Sequence, residues 1–246
     1  MWFVLAGFAA VAIGHMAPFP FLLEYLGPGR SVWQGPPSPG SPTVFLSYDD
    51  GPNPTATPAL LDELAREGAA ATFFIIPAHV TDETAPIVRR AIDEGHSVAM
   101  HASTRALMLK TPRDLSDWLE AQASAIEALV GARPCRLFRP HAGWRGGAMY
   151  EGLDLAGYHL AGWGFFLWDF DWWRKPNAER LAARLAGRAS DGSIVVMHDG
   201  HHENPRADRQ RTIDATRALV PRLRARGFAF GSLCSLATVD DAGLGS

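Results

Sequence analysis

The segment VFLSYDDGP, residues 44–52, decides how the fold of this chain is interpreted. Its apolar and aromatic part, Val44–Tyr48, predicts a β-strand. Asp49-Asp50-Gly51-Pro52 follows directly, and these residue types form a turn. Parallel α/β folds place their ligand sites at the carboxyl ends of strands. The segment therefore predicts both a strand and a candidate functional position at its end.

Six further runs along the chain are typical of strands, and helical periodicity fills most of the sequence between them. The predicted strands are Thr72–Ile76, Val98–His101, Leu137–Arg139, His159–Trp163, Ser193–His198 and Phe228–Leu233. The predicted helices are Pro58–Glu67, Ala85–Glu94, Leu115–Val130, Ala178–Ala189 and Thr212–Arg226. Strands alternating with helices predict a parallel sheet with right-handed crossovers, either an open doubly wound sheet or a barrel.

Length and composition fit one ordinary globular domain. The chain has 246 residues, of which 47% are hydrophobic and 20% are charged, and this composition excludes a disordered or fibrous protein. Lys and Arg number 23 against 26 Asp and Glu, a net charge of −3, so no nucleic-acid partner is expected.

The ends of the chain differ from its middle. Residues 1–26 are almost entirely apolar and predict a signal anchor, an interfacial hairpin or a segment packed on the domain. We favour membrane contact or export to the periplasm or cell envelope, with a cytoplasmic location as the alternative. Residues 27–42 have the Gly and Pro content of a linker. Residues 43–237 form the predicted domain, and residues 238–246 a tail.

The two cysteines, Cys135 and Cys234, are too few for a disulfide framework. Each flanks an apolar run, so we expect buried thiols in neighbouring strands. A single bridge between them is the alternative.

Several of the other predicted strands end in residues that carry chemistry. His101 ends one strand, Arg139-Pro140-His141-Ala142-Gly143 follows another, and His198-Asp199-Gly200 a third. Any one of these is explained by a turn or by a hydrogen-bonded side chain. Their recurrence at successive strand ends predicts a shared site at one rim of the sheet.

Taken in order, these motifs resemble those of the NodB-homology polysaccharide deacetylases, carbohydrate esterase family 4. The resemblance covers roughly Thr43–Leu236 and includes the Asp-Asp-Gly-Pro, Arg-Pro-x-x-Gly and hydrophobic-x-His motifs. It implies a single-domain, distorted (β/α) barrel of seven strands. It also implies a hydrolase that removes acetyl groups from the N-acetylated, or less commonly O-acetylated, amino sugars of a glycan.

The resemblance further implies the role of each site residue. Asp50 and His101 bind a divalent metal, with zinc expected, while Asp49 is the base and His198 is the acid. Arg139 holds Asp49 through a charge-assisted pair. The backbone N–H of Ala142 stabilises the oxyanion.

The Asp/Trp motif of the family is less regular here, over residues 168–173. Either Asp169 or Asp171 orients Arg139, and we favour Asp171. Trp172 is a candidate for substrate contact, because aromatic rings stack on sugars. The neighbouring aromatic residues fit either a sugar-binding surface or the core.

The sequence departs from the family in the His-x-x-x-His motif, which reads His101-Ala102-Ser103-Thr104-Arg105. An arginine has no lone pair to donate to a metal. Three interpretations follow. Another histidine completes the site, with His141, His201 and His202 as candidates; or Asp50, His101 and water hold the metal weakly; or the Arg105 guanidinium pairs with Asp50 in a metal-free site.

Three functions therefore remain open at this point. The first is a deacetylase whose partner is a chitin-like or peptidoglycan-like glycan. The second is a metal-free glycan-binding pseudoenzyme, motivated by Arg105. The third is a membrane-tethered interaction domain that uses the aromatic cluster as a partner surface. The sequence does not indicate an oligomeric state.

Overall fold

The computed structural model describes residues 5–7, 31–162 and 177–237. Within them, eight strands form the sheet. The strands are β1 (Ser31–Val32), β2 (Thr43–Gly51), β3 (Ala71–Ile75), β4 (Ser97–His101), β5 (Leu137–Arg139), β6 (His159–Ala161), β7 (Ile194–His198) and β8 (Ala229–Phe230).

Seven α-helices accompany these strands within residues 31–162 and 177–237. The helices are α1 (Ala56–Glu67), α2 (Ala85–Asp93), α3 (Pro112–Val130), α4 (Gly147–Ala156), α5 (Ala178–Arg188), α6 (Gln210–Ala225) and α7 (Cys234–Ala237). Short 3-10 helices span Pro77–His79, Arg105–Leu109 and His141–Gly143. None of the described helices is both long and apolar enough to cross a membrane.

The strands run in the order β1-β6-β5-β4-β3-β2-β7, with β8 beside the start of β2, and every recorded pair is parallel. The sheet curls into a half-barrel with helices packed on its outer face. The predicted fold class, a single-domain and distorted (β/α) barrel, is therefore confirmed. Each of the seven predicted strands overlaps an observed strand, although Phe228–Leu233 shortens to Ala229–Phe230.

The predicted linker is partly built into the domain. Ser31 and Val32 pair with β6, and the Gly35 N–H donates to the Gly192 carbonyl at 2.8 Å. Gly35 packs so closely on the Phe45 ring that a Cβ there would lie 2.2 Å from a ring carbon. Residues from Ser31 onward therefore contact the domain that the sequence predicts to begin at residue 43. Gly35 allows close packing here. The glycine content of a segment does not distinguish this use from the flexibility of a linker.

Side-chain alternation along the strands creates two cores. Val44, Leu46 and Tyr48 lie in the larger core, between the sheet and the helices. Phe45 lies on the other face of the sheet and belongs to a smaller cluster inside its curl. The other buried members of this inner cluster are Phe74, Ala99, Leu137, Ala161, Ile194, Val196 and Leu233.

Residues two positions after a member of the inner cluster share its face of the sheet. His101, Arg139 and His198 each follow a member of the inner cluster by two positions, and Asp49 follows Phe45 by four. All four side chains therefore point to the inner face. The fold therefore gathers them inside the curl, at the carboxyl ends of β2, β4, β5 and β7.

Cys135 and Cys234 form a disulfide, with their Cα atoms 5.9 Å apart. The expectation of free thiols in neighbouring strands is wrong. Cys234 begins α7, and Cys135 lies just before β5, where its N–H donates to the Val98 carbonyl at 2.8 Å. Both residues flank the start of β4, because the chain returns to this point after β8.

Replacing both cysteines by serine is expected to lower the free energy of unfolding by about 2–4 kcal/mol, because the bridge closes a long loop and restricts the unfolded chain. The two cysteines are 99 positions apart in sequence. Urea unfolding of the wild type, with and without a thiol reductant, is the matched control. An unchanged unfolding midpoint in both comparisons would contradict a stabilising bridge.

Candidate active site

Asp49 and Asp50 both reach the rim because β2 is irregular at its end. In a regular strand, neighbouring side chains point to opposite faces. Here the pairing of β2 with β3 skips Asp50, and Asp50 takes a positive φ of 69°. Aspartate tolerates this left-handed conformation better than most residues. The opposing backbone of Gly200 lies so close that a Cβ there would meet the Asp50 carbonyl oxygen at 1.9 Å.

Arg139 is fully buried and binds Asp49 directly. Its Nη1 donates to Asp49 Oδ1 at 2.5 Å and to Ser47 Oγ at 2.9 Å. Its Nη2 donates to the Gly162 carbonyl at 3.0 Å, and its guanidinium lies 3.8 Å from the centre of the Phe74 ring. These contacts fix the Asp49 carboxylate beside a positive charge.

His101 faces Asp50 with its Nε2 atom, 3.3 Å from Asp50 Oδ1. Its other ring nitrogen, Nδ1, lies 2.8 Å from the Arg139 carbonyl oxygen, which can only accept a hydrogen bond. Nδ1 therefore carries the proton, and in the neutral ring Nε2 offers a lone pair toward Asp50.

Asp50 Oδ1 is buried and makes no hydrogen bond within the described part of the chain. Burial opposes ionisation of Asp50, but contact with His101 and the charges of His101, His198 and His202 outweigh it and lower its pKa well below the ordinary value. A lone pair on His101 facing an ionised carboxylate needs a proton or a cation between them. The pair thus has the chemistry of a cation site.

His141 completes a group of three potential ligands. One ligand atom from each of Asp50, His101 and His141 lies within 4.8 Å of the others. Burial, followed by the charges of His101 and His202, lowers the pKa of His141 to about 4, so the ring is neutral at pH 7. One carboxylate and two imidazoles form a donor set that suits zinc and similar divalent ions. The centre of the His202 ring lies 4.6 Å from that of the His141 ring and 4.5 Å from that of the His201 ring.

Arg105 lies away from this group. Its side chain is exposed at the start of a 3-10 helix, and its guanidinium lies 5.2 Å from the centre of the Trp144 ring. The Asp50 oxygen faces His101 instead. The structure therefore contradicts the interpretation in which Arg105 pairs with Asp50 in the metal position.

Ala142 occupies the turn between β5 and α4, where it is exposed and has a positive φ of 50°. The next two N–H groups along the chain are used: Gly143 donates to the Pro140 carbonyl, and Trp144 to the His141 carbonyl. The Ala142 N–H makes no hydrogen bond to any residue in the described ranges. It is available as a donor to a ligand at the rim.

His198 ends β7 directly opposite Asp49 in the strand register and is half-buried. The structure thus brings Asp49, Asp50, His101, Arg139 and His198 to one rim. The remaining predicted site residues, Asp171 and Trp172, lie outside the described residues, as does the alternative Asp169.

Two residues near the site were not predicted to be part of it. His79 Nδ1 lies 3.1 Å from the Asp50 carbonyl oxygen, although nothing in the sequence around Pro77–His79 suggested a role. Asp199 is buried beside the site and accepts a hydrogen bond from Thr57 at 2.5 Å. Its position between His198 and Gly200 was the only available signal.

Asp199→Asn is expected to remove a pH dependence of stability. Burial raises the pKa of Asp199 to about 7, so its carboxyl group is protonated in the fold when it is already ionised in the unfolded chain. Through this group, the free energy of unfolding therefore falls as the pH rises from about 4 to about 7. In metal-stripped protein, the variant should be more stable than the wild type by about 2–4 kcal/mol at pH 8 and similar near pH 4.

Urea unfolding of both proteins across this pH range measures the difference. Parallel stability curves for variant and wild type would contradict the assignment. Thr57→Ser keeps the hydroxyl donor to Asp199 and serves as the matched control.

Comparison with known proteins identifies the family of this chain. The sequence profile of the polysaccharide deacetylases matches residues 37–161. A chitooligosaccharide deacetylase from Sinorhizobium fredii is 32% identical over 201 residues, which are 79% of this chain and 91% of the relative. A peptidoglycan-N-acetylglucosamine deacetylase from Bacillus cereus is 28% identical over 213 residues, 85% of this chain and 93% of the relative.

A solved structure agrees with these relatives. A family 4 acetyl xylan esterase from Clostridium thermocellum, in complex with a cobalt ion, superposes with a TM-score of 0.69 and 26% identity, covering 81% of this chain and 92% of that chain. The chain therefore belongs to the polysaccharide deacetylase family, carbohydrate esterase family 4. The resemblance found in the sequence motifs is confirmed, and the prediction of a deacetylase-type hydrolase is confirmed with it.

Proposed function

We propose that this protein is a metal-dependent deacetylase that hydrolyses the acetamide group of N-acetylated amino sugars in a chitin-like or peptidoglycan-like glycan. The observation that carries this proposal is the buried pair Asp49–Arg139 next to the Asp50–His101 pair. Asp49 is fixed beside Arg139, and its neighbour Asp50 faces the Nε2 atom of His101. A sugar-binding domain has no need of this costly buried charge arrangement.

Asp50 and His101 would hold the divalent cation, for which we propose zinc. The orphaned Asp50 oxygen and the orientation of the His101 ring both fit a cation. When bound, such an ion polarises the amide carbonyl and makes water a better nucleophile at neutral pH.

The protein's own groups supply the remaining chemistry. Asp49 accepts the proton of the attacking water, and Arg139 holds that carboxylate in place. The Ala142 N–H donates to the oxygen that becomes negatively charged in the tetrahedral intermediate. His198 donates a proton to the departing nitrogen, so the products are acetate and a free amino sugar.

The substrate class is supported by the names of the two relatives, one acting on chitooligosaccharide and one on peptidoglycan N-acetylglucosamine. Both polymers carry the same N-acetylglucosamine unit. The Asp171 and Trp172 contributions remain part of this proposal: Asp171 orients Arg139, and Trp172 stacks on the sugar.

We also propose that the protein acts outside the cytoplasm, with residues 1–26 providing export or membrane contact. The Cys135–Cys234 disulfide supports this, because such bonds persist in oxidising compartments. Fractionation of cells that express the full chain would place the protein in the envelope fraction. Recovery of reduced protein from the cytosol alone would contradict this location.

Acetate release from chito-oligosaccharides and from peptidoglycan fragments tests the proposed function. The protein is first stripped with a chelator and then reloaded with zinc or cobalt. We expect activity to disappear on stripping and to return on reloading. Absence of acetate release from every fragment by fully loaded, folded protein would overturn the proposal.

A further inference from the structure

We propose that the third protein ligand of the metal site is His141, supplied by the turn after β5, and that position 105 has left the site. This inference rests on the proposed metal dependence. It answers the question raised by Arg105 in the His-x-x-x-His motif, where the second histidine is missing.

Position 105, which follows β4, holds an arginine where the family motif has its second histidine. The Arg105 side chain is exposed, and its guanidinium lies over Trp144. A guanidinium stays protonated and has no lone pair for a cation. Trp144 follows His141 by three residues, so Arg105 packs against the same turn that carries the replacement imidazole.

His141 meets the requirements of a ligand. Its ring is half-buried, and neither ring nitrogen makes a hydrogen bond to a residue in the described ranges. One of its ring nitrogens, an Asp50 oxygen and a His101 nitrogen lie within 4.8 Å of one another. These three donors would hold a divalent cation between them, with His141 as the third protein ligand.

The same turn presents the proposed oxyanion donor. His141 and Ala142 are neighbours in the 3-10 turn, and Ala142 has a positive φ of 50°, which an L-residue adopts at some cost. A cation bound to His141 ties this turn to Asp50 and His101 on two other strand ends. Metal loading should therefore fix the Ala142 N–H as well as complete the ligand set.

Two nearby histidines are the alternative ligands that the experiment must separate. The His202 ring lies 4.6 Å from the His141 ring, centre to centre, and His79 contacts the backbone of Asp50. Neither belongs to the group of three donors found within 4.8 Å among the described residues. His202→Ala is therefore the matched control, since it removes an imidazole from the same rim.

Metal affinity tests the inference independently of catalysis. Zinc and cobalt are titrated against a chromophoric chelator in the wild type and in His141→Ala, His202→Ala and Arg105→Gln, with circular dichroism to check the fold. We expect His141→Ala to weaken binding by at least about 100-fold. The His202→Ala and Arg105→Gln variants should stay within about 3-fold of the wild type, because neither removes a donor from the group.

Hydrogen exchange supplies a second measurement. Zinc should slow exchange of the Ala142 and Gly143 amides in the wild type, and this slowing should be lost in His141→Ala. Full metal affinity in a folded His141→Ala protein would overturn the inference and leave the proposed function standing, provided that Asp50→Ala abolishes binding. Failure of the wild type to bind either ion would instead defeat the metal-dependent function itself.

Discussion

Asp49→Asn is expected to reduce the rate of acetate release by about 1,000-fold or more, because an amide cannot take the proton of the attacking water. The side chain keeps its shape and its place beside Arg139. Metal affinity should stay close to that of the wild type, since Asp50 and His101 are unchanged. Steady-state release of acetate and a metal titration on the same preparation measure both quantities.

Ser47→Ala is the control for this prediction. It removes another hydrogen-bond partner of the Arg139 guanidinium but leaves the carboxylate of Asp49 in place. We expect only a modest loss of activity, within about 10-fold, since the guanidinium loses one hydrogen bond to a hydroxyl and keeps its bonds to Asp49 and Gly162. Equal activity of Asp49→Asn and the wild type would show that another group is the base.

Arg139→Met is expected to destabilise the fold by about 3–5 kcal/mol, because it leaves the Asp49 carboxylate buried without its partner. Methionine has a similar length and retains contact with the Phe74 ring, so the main loss is the charge and its hydrogen bonds. Urea unfolding at pH 7 gives the free energy directly. A change below about 1 kcal/mol would mean that the pair adds little to stability.

Two further variants separate charge from geometry in this pair. Arg139→Lys keeps a positive charge but loses the planar fork that reaches Asp49, Ser47 and Gly162 together. The double variant Asp49→Asn with Arg139→Met has no buried charge left at this position. It should be more stable than Arg139→Met alone, which identifies the unpaired carboxylate as the cause.

The strand ends were the part of the site that the sequence could predict. Apolar runs ending in His101, Arg139 or His198 place those side chains at one rim of a parallel sheet, whatever the details of the loops. Alternation along each strand then assigns them to the inner face. These predictions needed only local patterns and the rule that parallel strands share their carboxyl ends.

Other features depend on backbone geometry that residue types do not reveal. The positive φ of Asp50 turns two adjacent aspartates toward one site, whereas alternation alone would separate them. The grouping of His141, rather than His201 or His202, with Asp50 and His101 depends on the path of one short turn. The Cys135–Cys234 contact and the pairing of β1 with β6 both join segments that are distant in sequence, which local patterns cannot detect.

The disulfide lies at the opposite end of the sheet from the candidate active site. Cys135 precedes β5 and contacts Val98 near the start of β4, whereas His101 lies at the end of β4, three residues or about 10 Å along the strand. A protein lacking the bridge should therefore turn over substrate normally in a short assay while losing activity sooner on prolonged incubation. Durability and turnover are then separate targets for engineering, each adjustable at its own end of the molecule.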